Sequence, residues 1–145
     1  MSGPRRVLFV CTGNSARSLM AEAFLRTIGG EAFDVSSAGT HPKGINPMTT
    51  RVLHEAGVDD PRLRSRSVGE YLAQEFDDVI TVCDQAREVC PVFPGGARRL
   101  HWSCDDPAAA EGSDDERIAE FRRVRDEIEA RIRAYIEEPV PVGIT

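Results

Sequence analysis

The chain has 145 residues, a formal net charge of −6 and 41% hydrophobic residues. That length suits one domain with one core, and that composition excludes a disordered chain. The acidic balance argues against a nucleic-acid or anionic-membrane surface, which needs a basic face, but leaves room for a locally positive loop.

Arg5–Val10 reads as a strand buried on both faces, because its apolar, β-branched run has no polar alternation. That run is too short for a signal peptide or a membrane span, so the expected location is the cytosol, with thiols reduced at rest. Ser18–Ile28 reads as a helix stopped by Gly29-Gly30. Phe33–Ser37 is a second strand. Pro47–Ala56 is a helix with proline at its start and Gly57 at its end. Val68–Glu75 reads as a shorter helix, Val79–Val82 as a third strand and Arg98–Trp102 as a fourth. The final helix opens on a capping box, Ser113 to Glu116. Ile118, Phe121, Val124, Ile128, Ile132 and Tyr135 then form one apolar stripe. The tail PVPVGIT is too proline-rich to continue the helix, so a domain over 1–138 and a tail over 139–145 are expected. Strands alternating with helices predict a three-layer α/β fold, with a short parallel sheet of about four strands and helices on both faces.

Cys11-Thr12-Gly13-Asn14-Ser15-Ala16-Arg17-Ser18 joins the first strand to the first helix. A tight loop there turns backbone N–H groups inward, toward the positive end of the helix dipole. Gly13 can supply a positive φ. No side chain from Thr12 to Ala16 is charged, and Arg17 offers a planar fork for two oxygens of a tetrahedral anion. Cys11 sits at the centre of a field that favours a thiolate nucleophile, to which Ser18 could donate. The pattern C-x5-R alone is weak; the strand before it and the helix after it give it weight. The competing reading is an ordinary βα turn with a buried cysteine.

A thiolate that displaces an oxygen needs a proton donor for the leaving group. Asp106 is the candidate, held extended by Pro107 after the fourth strand; a solvated loop aspartate is the even alternative. Cys83 ends the third strand and Cys90 follows seven residues later. If the segment between them is helical, their Cα atoms stand about 10 Å apart, beyond the roughly 7 Å a disulfide tolerates. Such a pair could bond only after local unwinding, as in a redox switch. No C-x-x-C pair or histidine pairing suggests a metal, so none is expected. His41, His54 and His101 carry no assigned chemistry, and Cys104 is read as structural.

With these residues in hand, the sequence resembles the thioredoxin-coupled arsenate reductases, which share fold and loop with the low-molecular-weight protein tyrosine phosphatases. The match covers nearly the whole chain: CTGNSARS with LMAEAF, SAGTHPKGINP, TVCDQAREVCP, HWSCDDPA and FRRVRDEI. The resemblance implies strand order 2-1-3-4, a role in arsenic resistance and detoxification, and a relay. Cys11 would attack arsenate held by the loop amides and Arg17, with Asp106 assisting departure of water. Cys83 would attack Cys11 and release arsenite. Cys90 would attack Cys83, and thioredoxin would reduce the resulting disulfide. Asn14 matches the asparagine that braces the family's anion site. Phosphate and sulfate would compete with arsenate. No bound cofactor, no nucleic acid, no membrane and a monomer are expected.

Two positions depart from the pattern. Ala16 stands where many members carry a cysteine outside the relay. Arg66 stands where some members place an acidic ligand of potassium, so a potassium site is not expected even though Glu22 and Ser37 remain. Two rivals stay open. A phosphatase would use Cys11, Arg17 and Asp106 alone, but its aromatic wall after the Asp-Pro is replaced here by Ala108-Ala109-Ala110. A redox or oxyanion sensor would use the thiol switch without recycling.

Overall fold

In the computed structural model, which describes residues 3–138, the backbone of Arg5–Cys11 (β1) forms the inner strand predicted for it. Val7, Leu8, Phe9 and Val10 are all at 0% exposure, as an unalternating apolar run requires. β1 pairs in parallel with Phe33–Gly39 (β2) on one side and Asp78–Thr81 (β3) on the other, and β3 pairs with Arg98–His101 (β4). The order is β2-β1-β3-β4, as expected. β2 continues two residues past the predicted Ser37, which brings Gly39 opposite Cys11.

Helices Arg17–Gly29 (α1), Pro47–Glu55 (α2) and Asp114–Glu137 (α4) pack on one another, and the short helix Asp84–Val89 (α3) follows β3. The crossover from β1 runs one way across the sheet and the crossover from β3 the other. Right-handed connections therefore place α1 and α3 on opposite faces. The direction reverses between β1 and β3, which makes the carboxyl end of β1 a topological switch point.

α4 buries Ile118, Phe121, Val124, Ile128, Ile132 and Tyr135, the stripe read from its period. Its capping box is complete: Ser113 Oγ accepts from Glu116 N, and Glu116 Oε1 accepts from Ser113 N, both at 3.1 Å. Val68–Glu75 is not an α-helix. Only Val68–Tyr71 coils, as a 3-10 turn with its own capping box from Ser67 and Glu70. Tyr71 is the one residue of that turn that is buried, so no apolar stripe exists to hold further turns against the core. The tail over 139–145 lies outside the described residues. No helix among the described residues is long and apolar enough to cross a membrane.

At the amino end of the sheet, Asp78 is fully buried and its carboxylate is gripped by three partners. Arg5 donates through Nε at 3.1 Å and Nη2 at 2.8 Å, Arg98 donates through Nε at 3.0 Å and Nη2 at 3.2 Å, and the Tyr135 hydroxyl donates as well. This carboxylate joins β1, β3, β4 and α4.

Candidate active site

The loop at the switch point runs from Cys11 to Ser18, and its shape is imposed from outside. Thr40 N donates to Cys11 O at 3.0 Å, His41 N to Thr12 O at 2.8 Å, Lys43 N to Gly13 O at 3.0 Å and Asn46 N to Ser15 O at 3.1 Å. Thr49 Oγ1 adds a second bond to Ser15 O at 2.8 Å. Four loop carbonyls are thus held outward. Because the peptide is planar, the amide that follows each of them points inward. Asn14 N does so visibly, donating to Cys11 Sγ at 3.1 Å. α1 begins after Ala16, which has no side chain to cap it, so the first amides of the helix have no side-chain acceptor. The result is an inward ring of N–H donors on a helix N-terminus, a nest for an anion.

The left-handed residue of the loop is Asn14, at φ 45°, and not Gly13 as the sequence suggested. Asparagine tolerates this region when its side chain bonds locally, and here every polar group of that side chain is used. Oδ1 accepts from Arg66 N at 2.8 Å, and Nδ2 donates to Ser18 Oγ at 2.7 Å and Ser37 Oγ at 2.9 Å. Ser18 Oγ lies 2.8 Å from Cys11 Sγ. Since Ser18 already accepts from Asn14, its single proton is free to be donated to sulfur. Cys11 thus receives two donors in a buried position, the arrangement a nucleophilic thiolate requires.

Behind Ser37 the network continues into charge. Ser37 donates to Glu22 Oε1 at 2.5 Å, and Arg26 donates to Glu22 Oε2 at 2.6 Å and also pairs with Asp60. Burial pushes the Glu22 carboxyl up, against the pull of Ser37 and Arg26. A guanidinium thus already neutralises Glu22, and Arg66, beside it, donates to the Tyr71 hydroxyl at 2.9 Å.

Cys11, Thr12, Gly13, Ser15, Ala16, Arg17 and Asp106 line one cleft of about 300 Å³, which His41, Lys43 and Gln85 also reach. Arg17 Nη1 donates to Cys104 O at 3.1 Å, and its Nη2 lies 3.8 Å from Asp106 Oδ2. Asp106 is extended (φ −83°, ψ 106°), as its proline demands. One of its oxygens caps the turn Pro107–Ala109 by accepting from Ala108 N at 3.0 Å. Both readings of this residue therefore have support: it faces the cleft, and it is a half-exposed loop cap.

Cys83 lies against the loop: Thr12 Oγ1 is 3.2 Å from its sulfur. It is the N-cap of α3, accepting from Ala86 N at 3.4 Å, and Cys90 is the C-cap at the other end. The segment between them is helical, so the two thiols are held apart as foreseen for that case. Burial pushes the Cys90 thiol up, with Arg99 opposing. Burial likewise pushes the Cys104 thiol up, to about 11, which disfavours its thiolate.

Three features escaped sequence reasoning. His101 is not isolated: it lies 2.7 Å from Thr81 Oγ1 and 2.9 Å from Asp84 Oδ1, bridging β3 to the start of α3. The stretch from Thr40 to Asn46 carries no local signal of its role, yet its amides orient the loop. Gly39 is needed for close approach. A Cβ there would stand 2.6 Å from Thr12 O and 3.0 Å from Asn14 N, both backbone atoms that cannot move away cheaply. A Gly39→Ala variant should fold but hold its loop displaced, weakening phosphate binding roughly tenfold to a hundredfold by calorimetric titration. Unaltered phosphate affinity would show that this contact does not shape the site.

Residues 6–140 match the model of the low molecular weight phosphotyrosine protein phosphatase family. The chain is 45% identical, over 131 residues, to an arsenate reductase of Halalkalibacterium halodurans, covering 90% of this chain and 94% of that one. Its fold superposes with a TM-score of 0.72 on the thioredoxin-dependent arsenate reductase of Corynebacterium glutamicum, at 30% identity, covering 92% of this chain and 61% of that one. It superposes with a TM-score of 0.74 on a low molecular weight protein tyrosine phosphatase from T. tengcongensis, at 25% identity, covering 92% and 98%. With its nucleophile loop at the switch point and these relatives along nearly its full length, the chain belongs to the low molecular weight phosphotyrosine protein phosphatase family and, within it, groups with the arsenate reductases.

Proposed function

We propose that this chain reduces arsenate to arsenite in a reducing compartment, through a relay from Cys11 to Cys83 to Cys90 that thioredoxin recharges. The observation that carries the reading is the second thiol: Cys83 lies on the hydroxyl of Thr12, the residue next to the nucleophile. Ester hydrolysis has no use for a thiol there.

In this mechanism arsenate enters the nest, where the inward amides and Arg17 share its charge. The Cys11 thiolate attacks arsenic, and Asp106 supplies the proton with which water leaves. The Cys83 thiolate then attacks Cys11 Sγ. The new sulfur–sulfur bond forms as the Cys11 sulfur–arsenic bond breaks, and that electron pair leaves with arsenic as arsenite. Cys90 next attacks Cys83, freeing Cys11. α3 has only six residues, too short to be stable without its packing, so unwinding it is a modest cost. Unwinding also hydrates Cys90 and relieves the burial that keeps it protonated. The Cys83–Cys90 disulfide is then exposed to a dithiol reductant, in keeping with the thioredoxin dependence of the Corynebacterium relative.

A second reading, hydrolysis of small phosphate esters, is favoured by the meeting of Cys11, Arg17 and Asp106 in one cleft. The two are separated by arsenate-dependent NADPH oxidation with thioredoxin and thioredoxin reductase, comparing wild type with Cys83→Ala. Turnover should disappear in the variant while any ester hydrolysis persists. An inactive wild type, with the coupling enzymes shown to work, would sink the reductase reading and leave the phosphatase and sensor readings.

A further inference from the structure

A second cleft, of about 560 Å³, opens where the end of α1, the start of β2 and the stretch from Pro61 to Arg66 come together. It shares no lining residue with the Cys11 cleft. Four guanidinium side chains line it: Arg26, Arg62, Arg64 and Arg66. Arg62, Arg64 and Arg66 alternate along the chain, as side chains on one side of an extended segment do, and all three line the same cavity.

The carboxylates nearby are already committed. Asp34, on the wall, pairs with Arg6 at 3.3 Å. Glu22 and Asp60 both belong to Arg26. Asp60 also accepts the backbone N–H of Arg62 at 2.9 Å, which turns the chain into the cleft. Arg66 is held by Tyr71. The side chains of Arg62 and Arg64 make no hydrogen bond or ion pair among the described residues, and both are exposed. Two unmatched guanidiniums beside that of Arg66, in a concave site on a chain of net charge −6, repel one another and raise the local potential. An anion would relieve that repulsion through charge-assisted, fork-like hydrogen bonds.

Size narrows the class. The Cys11 cleft, shaped around a single tetrahedral oxyanion, has about 300 Å³, and this one has nearly twice that. We propose that the arginine cleft binds a short chain of linked phosphates, gripped by Arg62 and Arg64 beside Arg66. The cleft is wired to the catalytic loop by two routes that end on one residue. Arg66 N donates to Asn14 Oδ1 at 2.8 Å, and Arg26 reaches Asn14 through Glu22 and Ser37. An occupant that shifts Arg66 or Arg26 therefore acts on the residue whose amide donates to Cys11 Sγ.

The test is a titration of 15N-labelled protein with inorganic tripolyphosphate at physiological ionic strength, for wild type and Arg62→Ala/Arg64→Ala. Both arginines are exposed, so the double variant keeps the fold. The amides of Arg62 to Arg66 should shift with one saturable midpoint, distinct from that of the loop amides of Gly13 to Ser18, and Asn14 should respond at both. In the double variant the first midpoint should weaken about tenfold, as expected for losing two solvent-exposed ion pairs. The loop's response to orthophosphate should not change. ATP in a parallel arm distinguishes the source: an equal midpoint means the phosphate chain alone is read, and a tighter one means a nucleotide is held beside Phe33. Shifts confined to the loop amides, or an unaltered midpoint in the double variant, would overturn the proposal.

Discussion

A Cys90→Ser variant is expected to release arsenite once per enzyme molecule and then stop, with Cys11 and Cys83 joined in a disulfide. The reason is access. Cys11 and Cys83 are 2% and 6% exposed, so a bond between them lies under the loop and α3, out of reach of a protein reductant. In the proposed relay Cys90 is the exit, because it stands at the far end of α3. Peptide mapping under non-reducing conditions should find the Cys11–Cys83 bond as the dominant species after arsenate is added. Sustained turnover in this variant would sink the relay while leaving Cys11 chemistry intact. The wild type adds a pH signature. Burial holds the Cys90 thiol above its ordinary value while α3 is formed, and a thiol freed by unwinding is still mostly protonated at neutral pH, so transfer onto Cys90 gains from rising pH. Stopped-flow measurement of Cys83–Cys90 formation should therefore accelerate from neutral into alkaline pH. A rate insensitive to pH would mean that helix unwinding, and not thiol ionisation, limits this step.

The largest loss of stability is expected from Asp78→Asn, at the opposite end of the sheet. Burial alone would push this carboxyl up, but Arg5, Arg98 and the Tyr135 hydroxyl outweigh it and hold it below the usual carboxylate range. Its folded-state value thus lies below its unfolded value of about 3.9. The stabilisation is present above that pH and is lost progressively as pH falls below it, toward and through the lower folded-state value. Removing one partner of a buried ion cluster costs about 3–5 kcal/mol. Arg5 and Arg98 remain a quarter exposed and can recover some hydration, so about 2–4 kcal/mol is the fitting expectation. That corresponds to a melting temperature lower by about 10 °C near neutral pH, with the gap to wild type closing as pH approaches 3. A gap that stays constant down to pH 3 would mean the Asp78 charge contributes nothing.

Sequence and structure divide the work along a physical line. The stripe of α4, the inner strand β1, the cap at Ser113 and the helix start at Pro47 were legible because they depend on neighbours within a few residues, where period and capping chemistry act directly. The nucleophile loop was legible for the same reason: strand, polar loop and helix are contiguous from Arg5 to Gly29. What failed locally was the choice between Gly13 and Asn14 for the left-handed position. Asparagine is held there by Ser37 and Arg66, partners 23 and 52 residues away. The extra helical turns expected after Tyr71 failed because burial, not propensity, decides whether a short helix persists.

By itself, then, the sequence determined the parallel α/β class, the strand–loop–helix unit that carries Cys11 and Arg17, and the positions of Cys83 and Cys90 at the two ends of a short segment. Only the tertiary structure decided that the loop carbonyls turn outward onto Thr40 to Thr49, that Gly39 must lack a side chain, that Cys83 meets Thr12, that Glu22 is already neutralised, and that four arginines share one cleft. Each of these is an orientation or a proximity across long chain separations. Such contacts are set by desolvation and by where two strands end, and neither leaves a periodic trace in the order of residues.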